Sequence, residues 1–474
     1  MGKGSEVSIN GSNSGGGSYK HPSGLKLANI CIALQSLAGY AVISFMILFF
    51  TADVGQNGLG LSVQKATGML GLYSGLGYMT PLIGGWLTDK YLGLQKGILL
   101  GSILAFAGYM ALFLSTSSVA SVWLGLGIMI CSGAFFKGNI SALVGELYSK
   151  DQLSKKDAAY SYFYMATNIG SLLGPIIAGL ITDSWFAKVS ANGEIISYGY
   201  RYGFLLSAVM MLITFLVFLF LAPKWLKNVG KKPASAVAKE KVASSGKEDK
   251  LTSLEKRRMI AMVIIFVFVV LFWAAWFQTQ SSFALLSDTL VNRKAFGKTI
   301  PVPWLTSFNG ILCVVLSPLL GGLWVRLART KRGDFSIPTK MGLGMILSGL
   351  AFIVLIIGIN TLGGVEDGSV KMNIAFLLFS YLILTLGELF LSPIGMAMFN
   401  KLAPSKYASL AMGAWYLCFF FANIISGKVA GFTASMGYSE VFAFIAGVVI
   451  FFGVVLILLR KLLNNLMALD KLEE

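Results

Sequence analysis

The stretch Met259-Ile260-Ala261-Met262-Val263-Ile264-Ile265-Phe266-Val267-Phe268-Val269-Val270-Leu271-Phe272-Trp273-Ala274-Ala275-Trp276-Phe277 decides the fold class. It runs nineteen residues without a charge. As a helix rising 1.5 Å per residue it reaches about 28 Å, close to the thickness of a bilayer's hydrocarbon core. Residues 30–50, 97–114, 202–221, 341–359 and 441–459 repeat the pattern. A soluble core cannot wrap so many helices that are apolar all round. Only 12% of the 474 residues are charged and 56% are hydrophobic, whereas a soluble domain carries about 25% charged residues. Lipid is therefore the solvent for most of this chain.

Working outward, spans are predicted near 27–52, 64–87, 96–115, 120–148, 158–182 and 202–224, and again near 259–286, 303–328, 338–361, 372–400, 406–432 and 440–463. The expectation is an all-α membrane protein with about twelve transmembrane helices in two six-helix bundles. The bundles cover 25–224 and 258–466, joined by a basic linker at 225–257. Residues 1–24, rich in Gly, Ser and Asn, read as a disordered tail, and 467–474 form a second tail.

The net charge of +17 could suggest nucleic acid, but its placement argues otherwise. Lys and Arg gather in alternate loops, at Lys90 and Lys96, Lys150 to Lys156, the run 224–258, Arg326 to Lys340, Lys401 and Lys406, and Arg460 and Lys461. Loops 52–63, 115–120 and 434–440 contain neither residue. This is the positive-inside pattern of a multi-pass protein in a cell or inner membrane, with both termini and the linker cytoplasmic. The four cysteines (Cys31, Cys131, Cys313 and Cys418) lie in apolar segments without metal-ligand spacing. The single histidine, His21, lies in the polar tail. A histidine relay in the membrane, a metal centre and a His-activated nucleophile are all excluded, so neither an enzyme nor a cofactor is expected.

Two charges stand alone within the apolar runs. Glu388 is the carboxylate far from any predicted helix end, and Lys137 is the comparably deep cation. A charge at the centre of a spanning helix costs about 2.5–3.5 kcal/mol on insertion scales, so each needs a cavity or a partner. They could pair with each other. Alternatively, they could face a central cavity and hold a zwitterion, Lys137 taking a carboxylate and Glu388 an amine.

Longer motifs carry a resemblance. Gly84-Gly85-Trp86-Leu87-Thr88-Asp89-Lys90 resembles the conserved loop between spans two and three of the major facilitator superfamily. Phe163-Tyr164-Met165-Ala166-Thr167-Asn168-Ile169-Gly170-Ser171-Leu172 is similar to the FYxxINxGSL segment of the proton-dependent oligopeptide transporter (POT) family. Gly387-Glu388-Leu389-Phe390-Leu391-Ser392-Pro393 resembles that family's tenth-span motif, and Phe135-Phe136-Lys137-Gly138-Asn139-Ile140-Ser141 its fourth-span FFKPNIS with Gly138 for the proline. The resemblance implies a secondary transporter working by alternating access on di-/tripeptides or peptide-like zwitterions, driven by protons. It also implies substrate-binding roles for Lys137, Asn168, Asn309 and Glu388, and proton coupling through Glu388 and Lys137. Tyr40, Trp273, Gln278 and Trp415 are added as candidate site residues, and Gly85, Asp89 and Lys90 as a conformational latch. A monomer is expected.

Two departures bear on coupling. The family's first span carries ExxER, whereas this chain reads Ile32-Ala33-Leu34-Gln35-Ser36-Leu37-Ala38-Gly39-Tyr40, keeping only Tyr40. Where the seventh span should offer an acid, Phe277 stands with Gln278 beside it. Two alternatives therefore stay open: a facilitator or exchanger of another small solute, and a non-transporting sensor.

Overall fold

The computed structural model describes residues 21–115, 118–149, 152–190, 195–233, 252–295, 298–330, 333–402 and 408–468. The predicted tail residues 1–20, linker residues 234–251 and tail residues 469–474 lie outside the described residues.

The first half holds α1 (Ser23–Thr51), α2 (Val63–Leu87), α3 (Leu94–Leu114), α4 (Val119–Phe135), α5 (Lys137–Glu146), α6 (Leu153–Leu180) and α7 (Tyr200–Trp225). The second holds α8 (Ser253–Trp276), α9 (Ser282–Thr289), α10 (Val302–Ala328), α11 (Ile337–Asn360), α12 (Ile374–Leu402), α13 (Ala408–Gly431), α14 (Thr433–Met436), α15 (Tyr438–Leu458) and α16 (Arg460–Met467). Among the described residues, eleven segments are long and apolar enough to cross a bilayer, with α4–α5 and α8–α9 each counted as one. The twelfth predicted span, α2, is 25 residues long but falls short on apolarity. Its glycines explain why. Gly71 and Gly75 let α2 lie directly on the backbone of α13, where a Cβ at Gly71 would come within 2.6 Å of the Asn423 carbonyl.

Small residues set the other close crossings. Gly170 and Gly174 of α6 bed on the backbone of α1 at Ala33 and Leu37. Gly344 and Gly387 face each other between α11 and α12, and Gly342 and Gly453 do so between α11 and α15. The core divides accordingly, with one apolar cluster centred on α1, α3, α6 and α7 and two in the second half.

Two predicted spans are broken. The fourth breaks at Phe136, between α4 and α5. Gly84 and Gly101 make room for this irregular backbone, and Asn139 Nδ2 bridges it by donating to the Phe135 carbonyl (2.8 Å) and to Thr88 Oγ1 (2.9 Å). The seventh breaks after Trp276, where a tighter turn, Phe277–Gln280, precedes α9.

The halves meet at the end opposite the termini. There α2 packs on α13, Trp304 Nε1 donates to the Ile176 carbonyl (2.9 Å), and Ser307 Oγ donates to the Leu172 carbonyl (3.1 Å). Toward the terminus-bearing end α6 and α10 diverge, exposing Tyr164, Met165 and Ile169 on one and Val314, Val315, Leu319 and Leu323 on the other. Among the described residues, the seam between α6 and α10 is closed at one end and open at the other.

Candidate substrate site

Glu388 lies mid-way along α12, one residue after the glycine that seats that helix on α11. Its Oε2 accepts from Trp276 Nε1 (2.8 Å) and from Asn309 Nδ2 (3.0 Å). Asn309 also donates to Thr385 Oγ1 (2.9 Å), which places the amide one turn before the acid. Cys313 Sγ lies 4.0 Å from the same oxygen. Glu388 Oε1 accepts no hydrogen bond among the described residues, leaving a half-buried carboxylate with one oxygen held and one available.

Lys137 opens α5 at the break and is exposed. Among the described residues it has no carboxylate within ion-pair distance, and Glu388 takes its hydrogen bonds from neutral groups. The two deep charges therefore do not neutralise each other. Tyr40 of α1 is 39% exposed and lies within electrostatic reach of Glu388, Tyr164 and Cys313. Asn168 is half-buried one turn after Tyr164 on α6. Tyr78 of α2 stacks on Phe419 at 5.0 Å and neighbours Tyr40.

Three candidates lie elsewhere. Trp273 is 6% exposed and wedged among Phe272, Trp276, Phe277 and Phe419. Its successor Trp276, one turn on, is the one that reaches Glu388. Trp415 is fully buried, packed on Phe399, Phe419 and Gly395. Gln278 is buried in the tight turn, its Nε2 donating to the Ser426 carbonyl and Oγ (both 3.1 Å) and its Oε1 accepting from Ser282 Oγ (2.7 Å). With its amide used in this way it ties the broken seventh span to α13 at the closed end. Trp273 and not Trp276 is the candidate named from the sequence, because nothing in spacing tells which of two indoles one turn apart finds the acid.

The loop motif also shifts by one residue. A Cβ at Gly85 would meet open space, whereas one at Gly84 would stand 1.9 Å from the Ala134 carbonyl, so Gly84 makes the close approach. Asp89 makes no ion pair among the described residues, and desolvation raises its carboxyl above the ordinary value. Lys90 lies over the Trp86 and Tyr91 rings at 4.9 and 5.1 Å. No group of His, Cys, Asp or Glu among the described residues could hold a metal ion.

Comparison with known proteins decides the family. The POT family profile matches residues 95–244 and 225–444. The chain belongs to the POT family. Dipeptide and tripeptide permease A of Yersinia pestis is 30% identical over 415 residues, 79% of this chain and 78% of the permease. An uncharacterized transporter, YclF of Bacillus subtilis (strain 168), is 26% identical over 95% of this chain and 96% of its own length. A crystal structure of peptide transporter POT in complex with sulfate superposes with a TM-score of 0.83 at 25% identity, covering 95% of this chain and 97% of that one. This POT-family chain is thus an integral multi-pass membrane transporter with a major facilitator fold, and not an enzyme.

Proposed function

We propose that the chain carries di- or tripeptides or peptide-like zwitterions by alternating access. The observation that carries this reading is the pair of opposite, mutually unpaired charges, Lys137 from the first half and Glu388 from the second. A zwitterion supplies the missing counter-charge to both. The name of the Yersinia permease and the solved peptide transporter support the same substrate class. Tyr40, Asn168 and Asn309 complete the site, and Glu388 with Lys137 carries the coupling proton. Alternating basic loops support placing both termini in the cytoplasm, which makes the present conformation open to the inside. The bundles 25–224 and 258–466 rock about the site as the two moving units, as a monomer, with the Gly84–Lys90 loop as the latch between their states.

The test is uptake of a labelled dipeptide into proteoliposomes with and without an imposed pH gradient. Accumulation that follows the gradient and is lost in Glu388→Gln is expected. Uptake of no peptide at all overturns the substrate class, and uptake indifferent to the gradient overturns the coupling. The absence of any acid in Ile32–Tyr40 of α1 favours a second reading, a facilitator or exchanger, for which gradient-independent counterflow is the signature.

A further inference from the structure

We propose that Trp276 is the positioning residue for Glu388, fixing which carboxylate oxygen faces the substrate's ammonium. The inference rests on the zwitterion reading of the site and adds a residue that no motif marks. Two donors, Trp276 Nε1 at 2.8 Å and Asn309 Nδ2 at 3.0 Å, converge on Oε2 of Glu388, and none among the described residues reaches Oε1. A carboxylate has about four lone-pair sites. Filling those of one oxygen with neutral N–H groups turns the other toward the open end and fixes the plane of the group. A substrate ammonium then meets an oriented acceptor and does not spend binding energy on stopping a rotor.

Trp276 suits this task. An indole offers a donor and no acceptor, on a rigid plane with two side-chain torsions. Its ring is held by Trp273 (5.3 Å) and Phe277 (5.5 Å), both edge-on. Other tryptophans use their N–H differently: Trp304 donates to a backbone carbonyl, while Trp273 and Trp415 find no partner among the described residues. Trp276 is also the last residue of α8, where the span tightens into the turn that Gln278 binds to Ser426. The orientation of the Glu388 carboxylate is thereby tied to the turn that seals the closed end.

The test compares a dipeptide with its des-amino analogue as competitors for uptake by wild type and by Trp276→Phe, which keeps an aromatic ring and removes the donor. Loss of one hydrogen bond to a charged group should cut the preference for the free amine about tenfold, with the analogue's inhibition constant unchanged. Equal weakening of both competitors makes Trp276 a packing residue, and unchanged preference makes it a bystander; either overturns the proposal. A second measurement does not depend on transport. Thermal unfolding in detergent of Trp276→Phe, Glu388→Leu and the double variant should show non-additive shifts in Tm, because either single change already breaks the bond. Additive shifts overturn the proposal, whereas non-additive shifts in a protein that moves no peptide leave the bond standing and sink the transport reading instead.

Discussion

At the scale of single residues, Lys137 and Glu388 were legible because the membrane makes a lone charge expensive and so conspicuous in the sequence. Their partners were not, since a neutral donor such as Trp276 or Thr385 costs nothing unusual in an apolar run. The lysine's role is separable from packing. Lys137→Ala should weaken binding of free-carboxylate peptides about tenfold or more and leave their C-terminal amides nearly unchanged, by competition against a labelled peptide. Equal loss for both would make the lysine structural. Cys313 gives an independent reading of occupancy. It is partly exposed beside Glu388, whereas Cys31 and Cys418 are buried. A small thiol reagent should inhibit uptake, Cys313→Ser should remove the inhibition, and saturating dipeptide should slow it. Inhibition that persists in Cys313→Ser would place the sensitive thiol elsewhere, on Cys131 first.

At the scale of elements, lengths and order were readable from the charge-free runs, because the hydrocarbon thickness fixes how many residues each helix needs. The breaks were not. Neither Phe136 nor the turn Phe277–Gln280 contains a proline or glycine, and both are held by tertiary contacts: Asn139 with Thr88 at the first, Gln278 with Ser426 at the second. The glycine motif in the loop after α2 illustrates the same limit. Two adjacent glycines read alike, but Gly84 lies against the Ala134 backbone and Gly85 faces open space. Gly84→Ala should therefore lower the unfolding temperature and transport together, by an overpacking cost of about 1–3 kcal/mol. Gly85→Ala should leave stability the same or slightly higher, since a helical Gly→Ala change gains about 0.5–1 kcal/mol. The reverse order, measured by thermal unfolding in detergent, would return the close approach to Gly85. On α6, a bulky residue at Gly174, such as Gly174→Leu, should prevent α1 from seating, because its Cβ would already stand 2.6 Å from the Leu37 carbonyl.

At the scale of the whole molecule, the halves touch through α2 with α13 along both helices, as at Tyr78 with Phe419 and Leu82 with Gly413, and through α6 with α10 at the closed end, from which α6 and α10 part toward the basic loops. At the closed end these contacts include glycines against backbone and single hydrogen bonds to carbonyls. Transport by alternating access requires that they open. Position 431 tests this directly, because a Cβ at Gly431 would lie 3.3 Å from the Gln64 Cα, so the two backbones come close enough to be cross-linked. With the four native cysteines replaced by serine, Gln64→Cys combined with Gly431→Cys should transport when reduced. Oxidation should stop net uptake, and a reductant should restore it. Substrate binding measured from the open side should survive the cross-link, because the cross-link holds the conformation in which Glu388, Asn309 and Lys137 are reached from that side. Full-rate transport in the oxidised protein would mean that α2 and α13 need not part, and would remove the rocking of the two halves from the mechanism.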